Sequence, residues 1–147
     1  MSYFKTRINK AHKQPKGEIY AMSGNLTTYL ENKILDHCLG TATFEKPSVY
    51  VGLFSVAPTD ADFGKEVTGN GYCRKKAKFK IANNGATSNA SNIDFNEMPF
   101  VTTVAIGIFD SLTEGNMLIF GHLTLEKDTD EGDTLRIAKG DLEIDID

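Results

Sequence analysis

The spacing of apolar residues changes once along the chain, and the change divides a helical segment from a long run of strands. From Asn25 to Leu39, Leu26, Tyr29, Leu30, Ile34 and Cys38 recur at intervals of three and four, forming one stripe on a helix. Asn25 can cap its start through the side-chain oxygen, and Gly40 can close its end in a left-handed conformation. The pattern predicts a helix over about 25–39.

Beyond Pro47 the spacing becomes two, or disappears into continuous apolar runs. Ser48 to Val56 is apolar on both faces, as a strand buried inside a sandwich would be, and Ala57-Pro58 ends it because proline cannot donate to a ladder. Gly69-Asn70-Gly71 is a turn. Tyr72 to Ile81 then alternates, with Cys73, Ala77, Phe79 and Ile81 on one side and Arg74, Lys76, Lys78 and Lys80 on the other. Asn83 to Ser91 is a polar loop, followed by a short strand over Ile93–Phe95. Val104–Asp110 and Met117–Leu123 are two apolar strands joined by the polar turn Ser111 to Asn116, a hairpin. Thr134–Ile137 and Leu142–Ile146 flank a turn over Ala138–Asp141. There Leu142, Ile144 and Ile146 give a dry face, and Glu143, Asp145 and Asp147 a wet one.

Short strands with turn signals between them, and no βαβ alternation or fixed repeat, predict a mainly β fold. The expected architecture is an antiparallel β-sandwich, jelly-roll-like, with one N-terminal α-helix and an extended N-terminal arm. The arm is drawn over residues 1–23 and the sandwich with its leading helix over 24–147. Met22-Ser-Gly24 reads as a fresh beginning, which makes Met22 a second candidate start beside Met1.

Composition adds limits. A chain of 147 residues suits one domain with a core of its own. No apolar run is long enough to span a membrane as a helix, and the N-terminus lacks the pattern of a signal peptide. The two cysteines, Cys38 and Cys73, are expected to be buried thiols rather than a disulfide framework, which suits synthesis in a reducing cytoplasm. The net charge of −4 hides an asymmetry: Lys5, Arg7, Lys10, Lys13 and Lys16 in the first 16 residues meet no acid there, whereas the C-terminal stretch is strongly acidic. A basic arm favours an acidic partner, including another copy of the chain.

Little resembles catalytic chemistry. His12, His37 and His122 are scattered, and none pairs with a cysteine at metal-ligand spacing. Asp128 to Asp133 begins like a calcium loop but puts Gly132 at a ligand position and Lys139 where a bidentate glutamate belongs; it reads as a solvated acidic turn. No Gly-x-Ser-x-Gly elbow exists, Asp62-Phe63-Gly64 lacks the rest of a kinase signature, and Gly69-Asn-Gly71 leads into a strand instead of a phosphate-binding helix. No catalytic, cofactor-binding or metal-ligating residue is assigned. Arg74, Lys76, Lys78 and Lys80 form a basic ridge, weighed as a nucleic-acid surface and as an interface facing acids across strands or subunits; the acidic total favours the interface.

Four segments, in order, resemble a bacteriophage virion structural family usually labelled tail-fibre-like or head-decoration (cement) protein. They are Tyr50-Val-Gly-Leu-Phe-Ser-Val-Ala-Pro-Thr-Asp60, Glu66 to Arg74, Val104 to Leu123, and Gly132 to Ile146; the helix Leu26 to Leu39 also fits. The resemblance implies a non-enzymatic structural protein of a tailed-phage virion, made in the host cytoplasm and needing no cofactor. It would dock on major capsid or tail proteins and on copies of itself, with no membrane or nucleic-acid partner. The basic extension departs from the family pattern and suggests an anchoring arm whose contacts would be Tyr3, Phe4, Lys5, Arg7, Ile8, Lys10, Lys13, Lys16, Ile19 and Tyr20. Ordering it costs roughly 1–2 kcal/mol per residue, which the apolar members must offset by packing on a partner. The alternative is a receptor- or glycan-binding module at a fibre tip, for which Phe63 and Phe100 are the loop aromatics.

Overall fold

The computed structural model describes residues 4–5 and 22–146. In chain order the elements are β1 (Phe4–Lys5), β2 (Met22–Leu26), α1 (Thr28–Cys38), β3 (Val49–Val56), β4 (Lys65–Glu66) and β5 (Lys75–Ala77). They continue as β6 (Ala86–Ser88), β7 (Ile93–Met98), β8 (Val101–Phe109), β9 (Met117–Thr129), β10 (Asp133–Ile137) and β11 (Glu143–Ile146). Among the described residues the architecture is mainly β, and every strand pairing is antiparallel.

Nine strands form one sheet in the order β4-β3-β8-β9-β2-β1-β11-β6, with β5 added on the same side of β3 as β4; β7 and β10 form a second, two-stranded sheet. One buried cluster joins the two: Ile93, Phe95 and Met98 of β7 and Leu135 and Ile137 of β10 pack with Val51 and Leu53 of β3 and Ile106 and Ile108 of β8. The arrangement is sandwich-like, with a large sheet covered by a small one. Across the small sheet Arg136 sits opposite Asp94 and forks on its carboxylate at 2.7 and 3.0 Å. That hydrogen bonding, together with the guanidinium charge, holds the Asp94 carboxyl below the usual carboxylate range.

The continuous apolar runs of β3 and β8 have a structural cause, because both faces of these central strands are buried. Val51, Leu53, Ile106 and Ile108 face the main core, whereas Phe54, Ala105 and Phe109 form a second cluster. Gly52 and Gly107, directly opposite each other in the β3–β8 ladder, leave room on that second face for aromatic rings. A Cβ on Gly107 would lie 2.8 Å from Phe54 Cε2 and 3.0 Å from Phe109 Cε2.

The helix forms where expected but starts later. Thr27, not Asn25, is the N-cap: its Oγ1 accepts from the Leu30 N–H at 3.3 Å and donates to the Met117 carbonyl at 2.7 Å, tying the helix to β9. Asn25 and Leu26 belong to β2, opposite Phe120 and Ile119, so sheet pairing takes the residues that local pattern gave to the helix. Gly40 closes the helix end at φ +80°.

Two further expectations are corrected. The polar loop 83–91 contains β6, which pairs with β11. The turn over Ala138–Asp141 does not join two paired strands: β10 belongs to the small sheet and β11 to the large one. Buried Asn89 fixes this crossing, donating to the Ala138 carbonyl at 2.9 Å and accepting the Leu142 N–H at 2.9 Å. Of the extended arm drawn over residues 1–23, the described residues 4–5 and 22–23 pair within the sheet, β1 between β2 and β11 and β2 against β9.

Candidate functional site

The outer edge of β3 is split between two short strands, β5 opposite Val49–Val51 and β4 opposite Phe54–Val56. The gap leaves the Leu53 N–H without a strand partner, and the Tyr72 hydroxyl accepts it at 2.8 Å. Tyr72 donates in turn to Glu66 Oε1 at 3.0 Å. Burial pushes the Tyr72 phenol far above its ordinary range and the neighbouring Glu66 carboxylate adds to this, outweighing the opposing effects of the Leu53 N–H and Arg74. A phenol held neutral in this way is a structural hydrogen-bonding group, not a base.

Arg74 completes the network. Its Nε and Nη2 fork on Glu66 at 2.9 Å each, and Nη1 donates to the carbonyls of Ser111 and Glu114 at 3.0 and 2.7 Å. Its guanidinium carbon lies 3.5 Å from the Phe109 ring centre. The cluster therefore fastens the β8–β9 turn to β4 and borders an open groove lined by Thr68, Tyr72, Cys73, Leu112 and Thr113. Gly52 makes room for it, because a Cβ there would lie 2.9 Å from Glu66 Oε1.

This geometry removes Arg74 from the basic ridge. With 7% of its surface exposed, it points into the protein, whereas Lys76, Lys78 and Lys80 are exposed on and beyond the edge strand β5. The expected alternation holds from Lys76 to Lys80, where exposed lysines alternate with Ala77 and Phe79, and breaks at its ends: Cys73 is exposed and Arg74 buried in the irregular segment before the ladder begins at Lys75, and Ile81 is 96% exposed. The two thiols are also corrected: Cys38, in the last helical turn, and Cys73, beside the groove, are both free and exposed. His37 accepts the Phe44 N–H through Nδ1 at 3.2 Å, and His122 lies exposed in β9. No group of three or more metal-ligating side chains occurs among the described residues. The acidic turn closes on itself, with the Asp130 N–H donating to Asp133 Oδ2. Of the arm contacts, Tyr3, Arg7, Ile8, Lys10, Lys13, Lys16, Ile19 and Tyr20 lie outside the described residues, and Phe4 and Lys5 form β1.

The two loop aromatics have different settings. Phe100 is 83% exposed in the tight connection between β7 and β8. Phe63 is 52% exposed, yet its ring centre lies 5.6 Å from Phe54, edge-on, and 6.0 Å from Phe109. It is carried by a loop that hydrogen bonds pin at several points: Thr59 N–H to the Asp62 carbonyl, Ala61 and Asp62 N–H to Thr59 Oγ1, and Gly64 N–H to Asp62 Oδ1. Gly64, at φ +75°, lets the loop close, since a Cβ would fall 2.4 Å from the Val56 carbonyl oxygen. Between this loop, Thr27 at the helix start, and Met117 and Phe120 of β9 is an open cleft of about 240 Å³. Neither the Glu66–Arg74 pair nor the cleft beside Phe63 was anticipated from the residue pattern. One signal for the pair was present, because Glu66 and Arg74 stand at equal distances on either side of Asn70, the centre of a chain reversal.

No curated protein matches the chain. A family model described as "Podophage GP4 fiber I protein gp80" matches residues 25–145, which span the end of β2, the helix, β3 to β10 and nearly all of β11. The chain belongs to this family of podophage fibre proteins.

Proposed function

We propose that the protein is a non-enzymatic structural component of a phage tail fibre, docking on neighbouring virion proteins and on copies of itself. The family match over most of the chain carries this reading and favours the fibre over a capsid-cement role. The fold supports it physically. The most tightly built polar cluster, Glu66, Tyr72 and Arg74, is spent on holding strands and a turn together, and its phenol is held neutral. The exposed lysines of the β5 edge, Lys76, Lys78 and Lys80, with the basic N-terminal residues Arg7, Lys10, Lys13 and Lys16, supply the charges that meet acidic neighbours. Lys76 on the edge strand β5 also discourages indiscriminate edge-to-edge pairing, leaving contact to the chosen partner.

Charge reversal tests this. A K76E/K78E/K80E chain is expected to fold with an unchanged unfolding midpoint but to enter particles in reduced amount in a complementation assay. Normal incorporation would remove the ridge from the interface. The second reading, a glycan-binding module, is favoured by one observation, the cleft beside Phe63.

A further inference from the structure

We propose that the cleft between the 57–64 loop and the start of α1 binds one ring of a neutral, hydroxyl-rich saccharide; this deepens the fibre reading by giving the fibre a ligand. The argument rests on complementarity of the lining. Phe63 presents a half-exposed ring to solvent, and buried Phe54 and Phe109 already hold it in place, so little rotamer freedom is lost when a ligand stacks on it. The apolar C–H face of a pyranose matches the electron-rich face of such a ring.

The polar groups around Phe63 suit sugar hydroxyls. Asp60 is exposed and its carboxylate has no hydrogen-bond partner among the described residues, and Asp62 spends Oδ1 on the Gly64 N–H while Oδ2 stays available. Both are acceptors for hydroxyl protons. Thr59 Oγ1 accepts from the Ala61 and Asp62 N–H groups, which leaves its own proton free to donate to a sugar oxygen. Two carboxylates without a cation among the described lining residues disfavour phosphate, sulfate or uronate ligands. With about 240 Å³ the cleft falls below the roughly 300–1,000 Å³ of sites for drug-sized ligands, which points to a single ring recognised within a longer polymer. The hydrogen-bonded loop is preorganised, so binding needs no rearrangement of the backbone.

The test uses the full chain against an array of bacterial surface polysaccharides, with hits followed by titration of the methyl glycosides of their component sugars. Binding to at least one neutral polysaccharide is expected. D60N and F63A should each weaken it about tenfold or more, whereas F100A leaves it unchanged. Because Phe63 packs on buried rings, its variant is read only alongside D60N, which touches no core residue, and with thermal unfolding of both. A silent array, or hits that D60N and F63A bind as the unaltered chain does, overturns the proposal. Particle incorporation reports separately: a chain that enters fibres but ignores every sugar sinks the cleft and spares the fibre role. Sugar binding through Phe63 by a chain missing from particles does the reverse.

Discussion

The guanidinium of Arg74 lies 3.5 Å from the centre of the Phe109 ring while its edge forks on the Glu66 carboxylate. One side chain thereby joins β4, β8 and the β8–β9 turn. Removing it alone strands a carboxylate that is only 18% exposed. R74A should cost about 3–5 kcal/mol in a urea titration, the range for breaking a buried pair by deleting one partner. R74A/E66Q should cost clearly less than R74A, because no unpaired charge remains. Equal losses in the two variants would show that ring packing, not the ion pair, holds the turn.

Tyr72 should make stability fall in alkali. Its folded-state pKa is raised above the ordinary value of 10, so the neutral phenol is favoured by folding. The contribution is complete below about pH 10 and declines as pH rises, once the unfolded chain releases the proton and the folded chain keeps it. Urea titrations between pH 8 and 11 should show this slope, and Y72F should flatten it while lowering stability at neutral pH through the orphaned Leu53 N–H. In absorbance titration of the folded protein, one of the five tyrosines should stay un-ionised until the chain unfolds. Full ionisation without unfolding would contradict the buried hydrogen-bond network.

Both cysteines should react with Ellman's reagent in native buffer, since Cys38 and Cys73 are exposed and unpaired. Two thiols titrated before denaturant is added is the expected result. Reaction only after unfolding would restore the buried arrangement that the sequence pattern suggested.

Thr103 offers a stabilising change. Its hydroxyl is buried in β8 and has no hydrogen-bond partner among the described residues. T103V replaces that oxygen with a methyl group of similar shape and suits a strand, so it should raise stability by about 1 kcal/mol. A loss of stability would reveal a partner for the hydroxyl.

How far the sequence reveals this fold depends on where local pattern and tertiary pairing agree. They agree in β3 and β8, where runs such as Val51 to Phe54 and Ala105 to Phe109 are apolar because both faces of the sheet are covered. They disagree at Asn25 and Leu26, which suit a helix start by spacing but gain ladder partners in β9. β6 was hidden because Ala86-Thr87-Ser88 carries no large apolar residue; its strand geometry comes from pairing with β11. The burial of Arg74 was not legible because it depends on Glu66, Phe109 and the carbonyls of Ser111 and Glu114, none of them next to it in sequence. The cleft was only half legible. Phe63 stands out as a loop aromatic, but its support by Phe54 and Phe109 requires residues distant in sequence to meet.

The central claim is that this β body is built into a tail fibre. Localising the chain on intact virions by cryo-electron microscopy, with a small tag after Asp147 as a marker, tests it most directly. The expected result is tag density repeated on the tail fibres at a defined copy number. Density confined to the capsid shell, or a chain absent from washed particles while abundant in infected cells, would contradict it.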